Sequence, residues 1–423
     1  MRLMHVSEPL DLSIRYHTLS GGGNPYRFAP AGAEPLPEEA GPCVDQPPAP
    51  VAIRLGEAHH LYLVNSRFVL WAAKEYVGDA ERGSRPIHWV TEGGQERALA
   101  HGSMPRAVGC HAPGAPFVPL LEQLQGLPRE CLRLAMVNIF DDRLGDGVLS
   151  LVLLRELRSL LEGRFARVEI DLLQNRSNPD TDRLYLRSGL VDAIRLFPLP
   201  LAAFARYHAY TDFSSYRLRD GVHWLDDCLA RLGIDPASVP AARKRMWLPP
   251  APPPPEAIRA VVDAARRRGG PVVLLHTRAS CAERSLDDAQ AVALAHALLE
   301  RTGCTVASVV PLDVRHPRFV DWSGLSTGCD EFFHLIASAD AFVSVDTCVV
   351  HVADARGVPG VALFATVCPE HRIAYYPHVR GLSLLPQGDG VPARVDAAQV
   401  VELLRAALDG ASPGERRREG LAA

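Results

Sequence analysis

Apolar and polar positions along this 423-residue chain follow three different patterns. Over residues 132–140 apolar side chains run almost without a break, as in a strand buried on both faces of a parallel sheet. A polar turn follows, Asp141-Asp142-Arg143-Leu144-Gly145-Asp146-Gly147. After it Val148, Leu149, Val152, Leu153, Leu157 and Leu160 recur at helical spacing. Residues 168–173 and 193–197 predict two further strands. Strands alternating with helices across short turns read as a doubly wound α/β domain.

The alternation stops at Pro-Pro-Ala-Pro-Pro-Pro-Pro, between Leu248 and Glu256. Proline lacks a donor for a sheet ladder and favours an extended chain, so this run reads as a stiff linker and a domain boundary. Beyond it the pattern restarts. Strands are expected at 271–275, 305–310, 341–345 and 361–364, and helices at 286–299, 330–338, 349–356 and 397–408. The expected architecture is two Rossmann-like domains, 130–248 and 257–410, facing a cleft. Open α/β sheets bind ligands at the carboxyl ends of their strands.

The first 129 residues have a different texture. Short runs at 51–55, 61–71 and 87–90 suggest a small β-rich module on the acceptor side. Residues 21–50 offer little to bury and read as loop.

Composition narrows the function classes. Hydrophobic residues are 47%, charged residues 22% and the net charge is -4, an ordinary globular balance without the basic face a nucleic-acid partner needs. Arg243-Lys244-Arg245 and Arg416-Arg417-Arg418 read as solvated surface. The N-terminus lacks a signal peptide's apolar core, and no run approaches the ~18 apolar residues that cross a bilayer. Nine cysteines, with no Cys-x-x-Cys pair, suggest reduced thiols and a cytoplasmic protein.

Three segments carry candidate chemistry. Gly145-Asp146-Gly147 lies between strand and helix, where glycines admit a ligand to the backbone and Asp146 can accept a proton. An N-cap aspartate followed by a turn glycine is the structural alternative. Asp346-Thr347-Cys348 ends a strand and opens a short helix carrying His351, a suitable seat for a diphosphate. There Asp346 would repel phosphate, so it is expected to fix the turn through backbone N–H groups or to orient His351. A capped helix over a core histidine is the alternative. The third segment is His276-Thr277-Arg278-Ala279-Ser280 with Arg284, whose hydroxyls and guanidinium groups suit phosphate oxygens.

Together these segments resemble the heptosyltransferases, inverting glycosyltransferases of the two-domain GT-B fold. The resemblance rests on Leu144-Gly145-Asp146-Gly147-Val148, on Leu274-Leu275-His276-Thr277 and on Asp321-Trp322-Ser323-Gly324 followed by Leu335-Ile336-Ala337 and Asp340. Asp346-Thr347-x-x-x-His351 with Gly357-Val358-Pro359 completes it, so that it spans about 131–408. It implies that Asp146 is the general base on an acceptor hydroxyl. It also implies that Asp346, Thr347 and Cys348 hold the diphosphate of a nucleotide-sugar, typically an ADP-heptose, with His351 beside them.

Two departures stand out. Cys348 replaces the family's glycine, where a positive φ would be strained. Arg284 with Ser285 stands where Lys-Trp is usual. The extra N-terminal zone is similar to that of bacterial protein heptosyltransferases acting on autotransporter adhesins, so the acceptor is a protein or a glycan. Those enzymes carry an iron-binding cysteine finger. Here Cys348, Cys368 and His371 lack its clustered cysteines, so no metal or other cofactor is expected. A nucleotide-sugar epimerase of the same fold, or a catalytically silent binding partner, are the alternative functions, and the oligomeric state is left open.

Overall fold

The computed structural model describes residues 2–6, 10–16, 26–30, 51–55, 60–64, 120–137, 143–174, 177–196, 199–200, 206–212, 221–384 and 394–410. Five strands come first: β1 Arg2–Val6, β2 Leu10–Tyr16, β3 Tyr26–Pro30, β4 Val51–Leu55 and β5 His60–Val64. β2 pairs antiparallel with β3 and β4, and β1 with β5. The segment 21–50, expected to be loop, therefore contains a strand, β3; alternating Tyr26 and Phe28 suit one. The run at 87–90 lies outside the described residues.

The first parallel sheet comprises β6 Leu132–Val137, β7 Val168–Gln174, β8 Ala193–Leu196 and β10 Ala209–Asp212, in the order β10-β6-β7-β8. Strand β9, Leu199–Pro200, instead pairs antiparallel with β5 and joins the N-terminal strands to this lobe. Its helices are α1 Leu120–Gln123, α2 Leu144–Glu162, α3 Pro179–Arg187 and α4 Trp224–Arg231.

Past the prolines, α5 Glu256–Arg266 leads into the second lobe. It contains β11 Val272–His276, α6 Asp288–Thr302, β12 Thr305–Ser308, β13 Phe319–Asp321, α7 Cys329–Ala337 and β14 Ala341–Val345. Then come α8 Cys348–Ala355, β15 Gly360–Phe364, α9 Glu370–Ile373, β16 Val379–Ser383 and α10 Ala397–Gly410. Six parallel strands stand in the order β13-β12-β11-β14-β15-β16.

The fold is α/β with two Rossmann-like parallel sheets. In the second sheet the chain winds outward from β11 one way and from β14 the other, so the topological switch point lies between these two strands. The first sheet reverses between β6 and β10. Open α/β sheets take ligands at the carboxyl end of such a reversal, and these ends carry Arg143 to Asp146 in one lobe and His276-Thr277 with Asp346-Thr347 in the other.

One feature of the expected local structure is corrected. Helix α2 begins at Leu144, so Gly145, Asp146 and Gly147 lie in its first turn rather than before it. Neither glycine has a left-handed φ. Gly147 is needed for approach, since a Cβ there would sit 2.8 Å from Thr181 Cγ2 of α3; a Cβ on Gly145 would meet Cys348 Cβ of α8 at 3.6 Å, an ordinary contact. An acidic residue in this first turn also suits the positive helix end.

Within the basic run at 243–245, Arg243 is exposed as expected but Lys244 is not solvated surface. A 3-10 turn, Ala241–Lys244, folds it back onto the protein. Lys244 is 5% exposed and lies 2.7 Å from Asp226 and 3.1 Å from the Tyr375 hydroxyl; Arg243 pairs with buried Glu156 at 2.9 Å. Burial alone would lower the Lys244 value, but the Asp226 and Tyr375 bonds outweigh it and hold the ammonium above its ordinary range. Residues 416–418 lie outside the described residues.

Apolar packing continues between the lobes. Val148, Leu151 and Val152 of α2 share one buried cluster with Val349, Val350 and Val352 of α8. A second cluster fills the space between the far face of the C-terminal sheet, α6 and α10. Gly360 marks the tightest point of that sheet. A Cβ there would overlap the Phe342 carbonyl oxygen and ring on the paired strand. Gly360→Ala should therefore lower unfolding free energy by about 1–3 kcal/mol, measured by chemical denaturation. An unchanged midpoint would show that the strand can move aside.

Candidate active site between the two sheets

At the end of β14, Thr347 takes an extended conformation and caps α8, its Oγ1 accepting from the Val349 N–H at 3.4 Å. Ser344 Oγ and His276 Nδ1 approach the same hydroxyl at 3.2 and 3.4 Å. This ties the end of β11 to the end of β14. Burial pushes the His276 imidazole down to about 4, so it is neutral near pH 7. Thr277 is buried, and its Oγ1 has no hydrogen-bond partner among the described residues.

The loop after β11 is stitched by Ser285, which accepts from the Ala279 N–H and donates to the Cys281 carbonyl. This geometry aims Arg284 inward. Its Nη1 donates to the Asp346 carbonyl at 3.1 Å and lies 3.5 Å from the Asp346 carboxylate; its Nη2 donates to Ser280 Oγ at 2.8 Å. Arg278 points elsewhere, pairing with Asp288 on the exposed surface.

From the other lobe, the start of α2 abuts the start of α8 at the Gly145–Cys348 contact. Arg143, the N-cap residue of α2, sends its Nη1 to Ser280 Oγ at 2.7 Å. Asp146 is half-buried one turn on, and its carbonyl accepts from Ser150 Oγ at 2.7 Å. Two helix starts and two guanidinium groups thus converge, with the Asp346 carboxylate against Arg284 and Asp146 in the first turn of α2. The helix ends and arginines favour a bound anion, and Asp146 adds an acceptor for a proton.

The structure brings together Gly145, Asp146, His276, Ser280, Arg284, Asp346, Thr347 and Cys348. Some expected details differ. Thr347, not Asp346, is the cap; the 7%-exposed Asp346 carboxylate faces Arg284. Cys348 is the first helical residue of α8 and not a positive-φ position, so the expected strain is absent. Its thiol is pushed up to about 12 by burial and stays protonated at pH 7.

His351 follows the core-histidine alternative. It is 4% exposed, its Nδ1 is 2.8 Å from the Tyr376 hydroxyl, and the two rings meet edge to face. Burial first, then the positive charge of Arg372, pushes it down to about 3. Cys368 and His371 are linked through backbone atoms at 3.1 Å, and among the described residues no group of three His, Cys, Asp or Glu is placed to hold a metal. The seven cysteines among the described residues are free thiols.

Sequence reading passed over Arg143, although its place directly before Leu144-Gly145-Asp146 puts a guanidinium at a helix start. It also passed over the cross-lobe ties, whose partners are far apart in the chain. Arg187 grips Asp330 with two bonds of 2.6 and 2.7 Å, and Asp180 Oδ1 accepts from the Cys329 N–H at 3.3 Å. Asp226, Lys244 and Tyr375 form a third tie, with Tyr375 donating to Asp226 at 2.5 Å.

Residues 326–390, which contain the Asp346-Thr347-Cys348 helix start and His351, match the family model described as glycosyltransferase family 9 (heptosyltransferase). Over these residues the chain is similar to glycosyltransferase family 9. Solved structures similar to the chain include a glycosyl transferase family 9 protein from Veillonella parvula, at 13% identity and TM-score 0.48, covering 67% of this chain and 99% of that one. E. coli ADP-heptose lps heptosyltransferase II gives 16% identity and TM-score 0.47, with 66% and 99% covered. The iron-containing dodecameric glycosyltransferase TibC of enterotoxigenic E. coli gives 15% and 0.43, with 69% and 79% covered. No curated protein matches the sequence. Among the described residues no helix is long and apolar enough to cross a membrane.

Proposed function

We propose that the chain is an inverting glycosyltransferase that moves a sugar, a heptose, from an ADP-sugar to a hydroxyl on a protein or glycan acceptor. The observation that carries this reading is the meeting of the α2 and α8 helix starts at Gly145 and Cys348, with Asp146 on one side and Arg284 on the other. The lobe of residues 130–248 holds the acceptor, that of 257–410 the donor, and the module of 1–129 helps select the acceptor.

In this reading Asp146 takes the proton as the acceptor oxygen attacks the anomeric carbon. The bond from that carbon to the diphosphate oxygen breaks in the same step, which inverts the centre. Arg284, Ser280 and the α8 start stabilise the charge left on the diphosphate. Asp346 keeps Arg284 aimed, since its carboxylate and carbonyl both face that guanidinium. Thr277, with its unused buried hydroxyl, and His276, tied to Thr347, shape the same wall. His351 acts through α8, anchoring it to Tyr376.

ADP should raise the melting temperature, because a ligand specific to the folded state stabilises it by about 2.7 kcal/mol at a hundredfold excess over Kd. Arg284→Ala should weaken the shift. If ADP gives none while another nucleoside diphosphate does, the donor is different. Mass spectrometry of ADP-heptose incubated with and without an acceptor separates transfer from epimerisation.

A further inference from the structure

We infer that Arg143 is a second diphosphate ligand, supplied by the acceptor lobe, which clamps the donor together with Arg284 when the lobes meet. The inference rests on the glycosyl-transfer reading and adds to it a residue that the sequence motifs did not mark.

Arg143 Nη1 and Arg284 Nη2 donate to one and the same oxygen, Ser280 Oγ, at 2.7 and 2.8 Å. They come from opposite lobes, 141 positions apart in the chain, yet they converge on a single neutral hydroxyl. Two guanidinium groups held this close repel each other, and the Asp346 carboxylate lies 3.5 Å from Arg284. An anionic oxygen at the convergence point relieves that repulsion better than a hydroxyl does. Guanidinium also presents a planar fork that matches two phosphoryl oxygens.

Its place in the chain gives Arg143 a second property. It is the N-cap residue of α2, and its side chain makes no capping bond to that helix. Its exposed guanidinium reaches across to Ser280 of the other lobe. Asp146 lies in the first turn of the same helix. A diphosphate held by Arg143 draws the α2 start, and Asp146 with it, toward the sugar's anomeric carbon. Donor binding and placement of the base become one event.

The test uses the full chain, with Arg143→Met and Arg143→Lys, and calorimetric titration of ADP, AMP and inorganic pyrophosphate. Arg143→Met should weaken ADP and pyrophosphate binding by about 10-fold or more, the worth of a hydrogen bond to a charged group, and leave AMP within about 2-fold. Arg143→Lys should restore part of the loss, since an ammonium keeps the charge but not the fork. Equal weakening of ADP and AMP would mean a merely structural role and overturn the inference, as would undiminished ADP binding by Arg143→Met. A wild-type chain that binds neither ADP nor pyrophosphate overturns both this inference and the transferase reading beneath it.

Discussion

Asp146→Asn should leave ADP binding unchanged and reduce turnover with ADP-heptose and acceptor by ~10²–10⁴-fold, the usual worth of a positioned base. Asparagine keeps the size and the helix geometry of residue 146 but cannot take a proton. The helix end loses a favourable charge worth ~0.3–1 kcal/mol, too little to unfold the protein. Initial rates and calorimetric ADP binding on the same preparation separate the two effects. Turnover within a few-fold of wild type removes Asp146 from the proton transfer and returns it to the role of a helix-end carboxylate.

Much of the architecture was legible because buried parallel strands announce themselves as unbroken apolar runs. Residues 341–345 and 361–364 did so, and they became β14 and β15 with every residue buried. The start of α2 was less legible. Gly147 looks like a turn residue to local chemistry, but its small size serves a contact with Thr181 that is distant in sequence. The same limit explains Lys244. A basic triplet reads as surface until the fold brings Asp226 and Tyr375 to it. In the site, the hydroxyl and guanidinium residues at the ends of β11 and β14 could be picked out by type. Which of them turn inward could not, since that depends on partners such as Asp288, which takes Arg278 away from the crevice.

Acid should destabilise this protein sharply between pH 6.5 and 5. His223 and His276 are pushed down to about 4 and His351 to about 3 from an ordinary value of 6.5, each chiefly by burial. For His223, Asp226 and the hydrogen bond to the Arg372 carbonyl work against burial, and the charges of Lys244 and Arg372 reinforce it. Its Nδ1 accepts from the Leu225 N–H and its Nε2 lies 3.2 Å from the Arg372 carbonyl, an arrangement that suits the neutral ring.

These folded-state values are depressed, so the stability associated with them is fully present above pH 6.5. It is lost as the pH falls toward the folded values, because the unfolded chain takes up protons the folded one refuses. Each such histidine contributes a slope of about 1.4 kcal/mol per pH unit, and three together approach ~4, against a typical total of ~5–15 kcal/mol. Urea titrations at pH 7, 6 and 5 should show the decline, and His351→Gln should flatten the slope by about one-third. A flat profile over that range would mean that the three rings are open to water in solution.

Helix α7 secures its own start only in part, through Glu331 of its first turn, which accepts from the Thr327 N–H and hydroxyl. Gly328 brings no side chain to its first turn, and the bond to the Cys329 amide comes from Asp180 in the opposite lobe, with Arg187 fastened to Asp330 beside it. Whenever the lobes part, that terminus is handed back to water and its first turn frays. Separation of two large bodies is thereby registered at one peptide group. Deuterium uptake at the Cys329 amide would follow the breathing of the crevice as a dial follows a hinge, while the buried strands beneath it stay silent.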